Sequence, residues 1–202
     1  GYNVVYDKYL LSIRHDINNV LEIGTSPVSA KLWLDYFPNA NLYSIDNCPE
    51  ITEVCKETEE ENTRFKFNQI DQIDSVAQIN LAKEVGGFDV IIDDGPHSSP
   101  EQLTSLSCLL KYLNPGGHYI IEDLHCTDPN DGQPNILIKD SEITMNDLLR
   151  EYKDGVYKNY KYIENSLELK EMNLEICIER GTQIRWNEQR YPSEIIVIKK
   201  NK

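Results

Sequence analysis

Phe88-Asp89-Val90-Ile91-Ile92-Asp93-Asp94-Gly95-Pro96-His97 decides how this chain is read. Its first five residues are strand-like and run straight into two acids, a Gly-Pro turn and an imidazole. About two dozen residues later Tyr119-Ile120-Ile121 runs into Glu122-Asp123-Leu124-His125, a spacing that fits one helical crossover between neighbouring parallel strands. Two strand ends therefore aim four carboxylates (Asp93, Asp94, Glu122, Asp123) and two histidines (His97, His125) at one rim. In an open α/β sheet ligands bind at the carboxyl-end rim, so the cluster reads as a metal and proton-transfer site, and the chain as an enzyme.

Outward from this stretch, short apolar runs alternate with longer amphipathic ones. Strands are expected over 20–23, 41–45, 65–67, 88–92 and 118–121. Helices are expected over 6–18, 28–36, from Pro49 through Cys55, over 75–85 and over 100–113, the last closed by Asn114-Pro115-Gly116-Gly117. The alternation predicts an α/β fold with a mostly parallel, doubly wound sheet. Residues 126–133, dominated by Asp, Pro, Asn and Gly, are expected to form a substrate lid. A helix over 141–152 follows, then a closing antiparallel pair over 174–179 and 194–199 with 185–191 in the turn region between them. With no internal repeat and no biased linker, residues 1–202 read as a single domain.

Thirty-four acids against 20 basic residues give a net charge of -14, which argues against a nucleic-acid partner, because such affinity comes from Lys and Arg neutralising phosphates. No apolar run approaches the ~20 residues of a membrane span, so membrane insertion is not expected. The five cysteines (Cys48, Cys55, Cys108, Cys126, Cys177) show no Cys-x-x-Cys spacing and read as reduced thiols of a cytoplasmic protein. The opening Gly-Tyr-Asn, without an initiator Met or a signal-peptide pattern, leads us to expect a module of a longer polypeptide.

Val20-Leu21-Glu22-Ile23-Gly24-Thr25-Ser26 is a strand entering a Gly turn, followed by a helix whose first amides can hold an anionic group. Asp46 ends the second strand, where an acid accepts hydrogen bonds from ribose hydroxyls. A dinucleotide fingerprint needs glycines two and five residues after the first; Ser26 and Ser29 stand there instead. An adenosine-bearing cofactor without phosphate, S-adenosylmethionine, suits this loop and the acidic rim better. Alone, Gly24 is equally well read as a residue that permits a tight turn.

Glu22-Ile23-Gly24-Thr25 with Asp46, Asp71-Gln72, Ile92-Asp93-Asp94-Gly95-Pro96-His97, Leu113-Asn114-Pro115-Gly116-Gly117 and Ile121-Glu122-Asp123-Leu124 resemble the macrocin and mycinamicin type of sugar O-methyltransferase. The resemblance covers roughly residues 1–125. It implies a Rossmann-like class I fold that binds S-adenosylmethionine through Glu22, Gly24, Thr25, Ser26, Asp46, Asn47, Asp71, Gln72 and Asp93. It further implies a divalent metal, Mg, held by Asp94, Glu122 and Asp123, with His97 as general base. The acceptor implied is a sugar or glycan hydroxyl, a deoxysugar such as rhamnose being favoured. Pro96 departs from the small polar residue usual there, and the region after His125 has no counterpart. The same architecture closes multi-domain glycan-building proteins, including one of large algal viruses that acts on rhamnose. That narrower likeness implies fused glycosyltransferase domains and a place in the host cytoplasm.

The residue chemistry supports this role independently. A sugar hydroxyl is a poor nucleophile at neutral pH; a hard cation would lower its pKa while an adjacent imidazole takes the proton. Strand alternation turns Asp93 away from Asp94, towards the methionine part of the cofactor. His97 taken alone is more often a turn residue, and the carboxylates converging on it reverse that reading. His125 either extends the site or begins the lid, whereas His15 and His118 read as structural or solvated. Tyr152, Tyr157, Tyr160 and Tyr162 fit a packing surface better than a sugar platform, and Trp186 beside Arg185 and Arg190 admits both readings. A catechol-like acceptor and a non-catalytic Rossmann-like module remain alternative functions, and a dehydrogenase fits least.

Overall fold

A computed structural model describes residues 2–127, 140–180, 184–186, 189–191 and 194–202. Its seven-stranded sheet runs Phe65–Gln69 (β3), Asn41–Asp46 (β2), Asn19–Ile23 (β1), Phe88–Asp93 (β4), Leu113–Ile121 (β5), Glu194–Lys200 (β9) and Leu174–Arg180 (β6) from edge to edge. The first five are parallel; β9 is antiparallel to β5, and β6 to β9. This is the expected doubly wound, mostly parallel sheet with its closing antiparallel pair. Ile184–Trp186 (β7) and Gln189–Tyr191 (β8), expected as a turn region, pair as a separate ribbon.

Both faces of the sheet are buried, which explains uninterrupted apolar strands such as Val90-Ile91-Ile92. Leu21, Ile23 and Ile91 point into one core with the helices Ser75–Val85 (α4), Ser99–Leu109 (α5) and Met145–Lys153 (α6). Val20, Val90, Ile92 and Ile120 point into the other, under Asn3–Leu10 (α1), Pro27–Tyr36 (α2) and Pro49–Glu61 (α3). Helix ends follow local chemistry: the Ser26 hydroxyl accepts from the Ser29 amide to start α2, Asp74 caps α4, and Gly86 closes α4 at φ 86°. The tyrosines at 152, 157, 160 and 162 pack against the first core, Tyr152 and Tyr157 with ring centroids 4.8 Å apart.

Several expected boundaries are corrected. The first helix begins earlier than expected and stops at Leu10, after which Ile13 and Asp16 make tighter bonds to Leu10 and Ile13 carbonyls. Ser12, His15, Asp16 and Asn18 are weak helix formers, so the apolar face continues as turns that still bury Ile17. Asn114-Pro115-Gly116-Gly117, expected as a turn closing a helix, is an excursion inside β5: Leu113 pairs with Phe88, and the next partner pair is His118 with Val90. The preceding helix ends at Leu109, with a 3-10 turn over Leu110–Tyr112. Further on, α6 starts at its Thr144 cap rather than at 141, and a short helix, Ser166–Lys170 (α7), was not expected. Of the expected lid, Leu124–Thr127 is a 3-10 turn and residues 128–139 lie outside the described ones. Among the described residues no helix is long and apolar enough to cross a membrane.

Candidate active site

Strand order reverses between β1 and β4, so the loops leaving these strands diverge and open a crevice. A cavity of about 470 Å³ fills it, walled by Gly24 and Thr25 after β1, Asp46 and Asn47 at the end of β2, Asp71 and Gln72 after β3, and Asp94 after β4. Small-molecule sites commonly measure about 300–1,000 Å³. Seven of the expected cofactor and metal residues thus meet at one wall. Asp46 ties two loops together, its Oδ2 accepting from the Thr25 amide (3.3 Å) and its Oδ1 from the Cys48 amide (2.7 Å). The Asn47 side chain donates to Asp71 Oδ2 at 2.8 Å.

Three expected cofactor residues do not line that cavity. Glu22 is fully buried, accepting from Thr25 Oγ1 (2.6 Å), Trp33 Nε1 (2.9 Å) and Ser44 Oγ (3.2 Å), and burial raises its pKa. It holds the β1 turn from behind. Asp93 is equally buried; Gln72 Nε2 donates to both its oxygens at 2.9 Å, and burial pushes its carboxyl up to about 7. Alternation along β4 turned it away from Asp94, as expected, but into the sheet rather than towards the cavity. Ser26 spends its hydroxyl on the α2 cap, reciprocated by Ser29.

On the far side of Asp94 the rim carries a second group. Asp94, His97 and Asp123 each offer one ligand atom within 4.8 Å of the others. His97 Nε2 lies 3.6 Å from Asp123 Oδ2 and 3.8 Å from Asp94 Oδ1, while His125 Nδ1 lies 3.8 Å from Asp123 Oδ1. His97 (φ 56°) and Asp123 (φ 53°) are both left-handed, a conformation costing about 1–3 kcal/mol for a non-glycine residue and concentrated at functional sites. Glu122, the third expected ligand, stands beside this group with its Oε1 accepting from the Tyr6 hydroxyl.

Electrostatics mark the same spot. Burial, then the neighbouring Glu122 and Asp123 charges, push Asp94 up to about 8. Burial also lifts Glu122 to about 7; the Tyr6 hydrogen bond opposes that rise and Asp123 adds to it. His97 moves down, because burial outweighs the attraction of Asp123 for its charged form. Acids crowded this closely raise one another's pKa, and a bound cation would reverse that shift.

Some wall residues escaped the sequence reading. Ile45, Cys48, Ile70, Pro96 and Glu101 also line the cavity. Ile70 could have been found, because it directly precedes Asp71-Gln72 at a strand end. Tyr2 and Tyr6 carried no such signal: their contacts with Asp123 and Glu122 depend on how α1 docks against the rim.

Comparison with known proteins gives the same class. Mycinamicin VI 2''-O-methyltransferase of Micromonospora griseorubida is 30% identical over 127 residues, covering 59% of this chain and 30% of that protein. The L-olivosyl-oleandolide 3-O-methyltransferase of Streptomyces antibioticus is 34% identical over 126 residues, covering 58% and 31%. The 8-demethyl-8-alpha-L-rhamnosyl tetracenomycin-C 2'-O-methyltransferase of Streptomyces olivaceus is 30% identical over 131 residues, covering 61% and 33%. The chain therefore spans about a third of the length of these relatives. In fold it resembles the mycinamycin-pathway methyltransferase MycE, solved with Mg and S-adenosylhomocysteine, at TM-score 0.69 and 22% identity over all of this chain and 50% of that one. An O-methyltransferase from Bacillus cereus, solved with S-adenosylhomocysteine, aligns at TM-score 0.59 and 16% identity over 98% and 81%. The family model described as a methyltransferase domain matches residues 15–190, most of the chain, and with the crevice at the β1–β4 switch point it settles the assignment: this chain belongs to the methyltransferase-domain family.

Proposed function

We propose that this chain moves a methyl group from S-adenosylmethionine to a hydroxyl of a sugar or glycan, with a divalent cation at the rim. One observation carries the reading: Asp94 both walls the cofactor-sized cavity and belongs to the Asp94–His97–Asp123 cluster. A methyl donor in the cavity and an acceptor at the cluster would then meet across one side chain. The relatives' names support a sugar acceptor, two of them carrying an L-rhamnosyl or L-olivosyl group, and a deoxysugar is the acceptor we favour.

The residues fit a hard cation such as Mg. Carboxylate oxygens are its preferred ligands, and the carboxyls of Asp94 and Glu122, raised first by burial and further by the acids beside them, are ones that a cation would return to the charged form. Asp94 and Asp123 would hold it, with Glu122 alongside. Bound there, it would act as a Lewis acid that lowers the pKa of an acceptor hydroxyl. His97, kept neutral by burial, accepts the hydroxyl proton at Nε2; its Nδ1 is buried without a hydrogen-bond partner among the described residues. Asp46 binds the ribose of the cofactor, and the Gly24 turn orients its methionine end. The rest is positioning, since in-line transfer to a held hydroxyl gains several kcal/mol, of order ~7, from orientation alone.

The test is release of S-adenosylhomocysteine with a panel of deoxysugar glycosides and of catechols. Turnover with glycosides supports the proposal; turnover confined to catechols replaces the acceptor; and failure to bind S-adenosylmethionine reduces the chain to a non-catalytic module.

A further inference from the structure

Tyr2, the N-cap residue of α1, and Tyr6, one helical turn further on, reach acids more than a hundred residues away in sequence. The Tyr6 hydroxyl donates to Glu122 Oε1, and the Tyr2 hydroxyl to Asp123 Oδ1. Tyr2 also accepts from the Asp123 backbone amide at 3.3 Å, so one phenol bridges both ends of a residue held at φ 53°. Both tyrosines are nearly buried, and the Tyr6 ring meets Trp33 edge-on with centroids 4.8 Å apart. The phenols are therefore held in place by packing.

We propose that Tyr2 and Tyr6 are positioning residues for the divalent cation, each fixing one oxygen of Asp123 or Glu122 so that the other faces the cation. The inference rests on the metal-dependent reading above. Carboxylate ligands are oriented by hydrogen bonds from outside the coordination sphere, and losing such a partner costs about 10–100-fold in metal affinity. Here the two donors also offset repulsion among Asp94, Glu122 and Asp123, which no lysine or arginine among the described residues relieves by an ion pair. Residues from a segment preceding the first strand thus complete a site otherwise built by the ends of β4 and β5.

Mn2+ titrated into the 202-residue chain, with free Mn2+ read by electron paramagnetic resonance, tests this directly. Tyr6→Phe and Tyr2→Phe keep the rings and delete only the hydroxyls. Each should weaken Mn2+ binding about 10–100-fold while calorimetric affinity for S-adenosylhomocysteine stays within a factor of about two. Tyr36→Phe is the control: its hydroxyl joins α2 to α1 through Asp7 at 3.0 Å but touches no acid of the rim, and Mn2+ affinity should not move. Wild-type Mn2+ affinity in both Tyr2→Phe and Tyr6→Phe overturns the proposal. So does an equal loss in Tyr36→Phe, which would assign the effect to helix docking. Absence of Mn2+ binding by the wild type overturns the metal reading itself, and the proposal with it.

Discussion

A Cβ placed on Gly24 would sit 2.4 Å from the backbone oxygen of Asp94. The turn after β1 and the acid loop after β4 are thus in backbone contact, and Gly24, at φ 76°, is the residue that permits it. Gly24→Ala adds a left-handed penalty of about 1–2 kcal/mol to this overlap. Differential scanning fluorimetry should give a melting temperature lower by several degrees, and stabilisation by S-adenosylhomocysteine should disappear. An unchanged melting temperature and ligand shift would mean that the two loops do not need this contact.

Asp46 should act on the cofactor without acting on the cation. Its carboxylate lines the cavity and accepts from Thr25 and Cys48 amides, so Asp46→Ala removes both the proposed ribose partner and a brace between loops. A hydrogen bond to a charged group is typically worth about 1.5–3 kcal/mol, or roughly 10–100-fold in affinity. Isothermal calorimetry with S-adenosylhomocysteine should record a loss of that size, with Mn2+ binding retained. Unaltered cofactor affinity would remove Asp46 from the site.

Chelation and His97→Ala should separate two jobs at the rim. Excess EDTA should abolish turnover and spare S-adenosylhomocysteine binding, as should Glu122→Gln. His97→Ala should lower kcat by roughly 10²–10⁴-fold, the usual contribution of positioned proton transfer, with Mn2+ and cofactor affinities retained. A His97→Ala enzyme that melts earlier yet turns over normally would make His97 a turn residue, and full activity in EDTA would remove the metal.

Much of this site was legible because its parts come from strand ends. Strand periodicity located β1, β2, β4 and β5, and the acids that follow them necessarily share a rim in a parallel sheet. What sequence could not supply was side-chain direction once a strand ends. Glu22 and Asp93 were read as cofactor ligands, yet both fold inward, where Thr25, Trp33, Ser44 and Gln72 satisfy them. Nor does helical periodicity say where a first helix docks, which hid Tyr2 and Tyr6. Asn114-Pro115-Gly116-Gly117 carries the composition of a turn, but only pairing with β4 on both sides reveals an excursion within a strand.

His118 predicts an acid-sensitive stability away from the active site. It is 4% exposed, and burial, then the nearby Lys199 charge, push its pKa down to about 4. An unfolded histidine titrates near 6.5, so between that value and about 4 the unfolded chain binds the extra proton. The contribution of His118 is therefore complete above pH ~6.5 and lost as pH falls towards about 4. Urea denaturation at neutral pH and at about pH 4.5 should show the stability of wild type relative to His118→Asn dropping on acidification, by on the order of 1 kcal/mol or more. A pH-independent difference would contradict the assignment.

Methyl transfer to a sugar oxygen can be read out by mass spectrometry. Rhamnose-bearing glycans incubated with the chain, S-adenosylmethionine and Mg should gain the mass of one methyl group, with fragmentation locating it on a sugar hydroxyl oxygen and EDTA preventing the gain. Binding of S-adenosylmethionine with no methyl gained across sugar acceptors, or a methyl found only on a catechol oxygen, would contradict it.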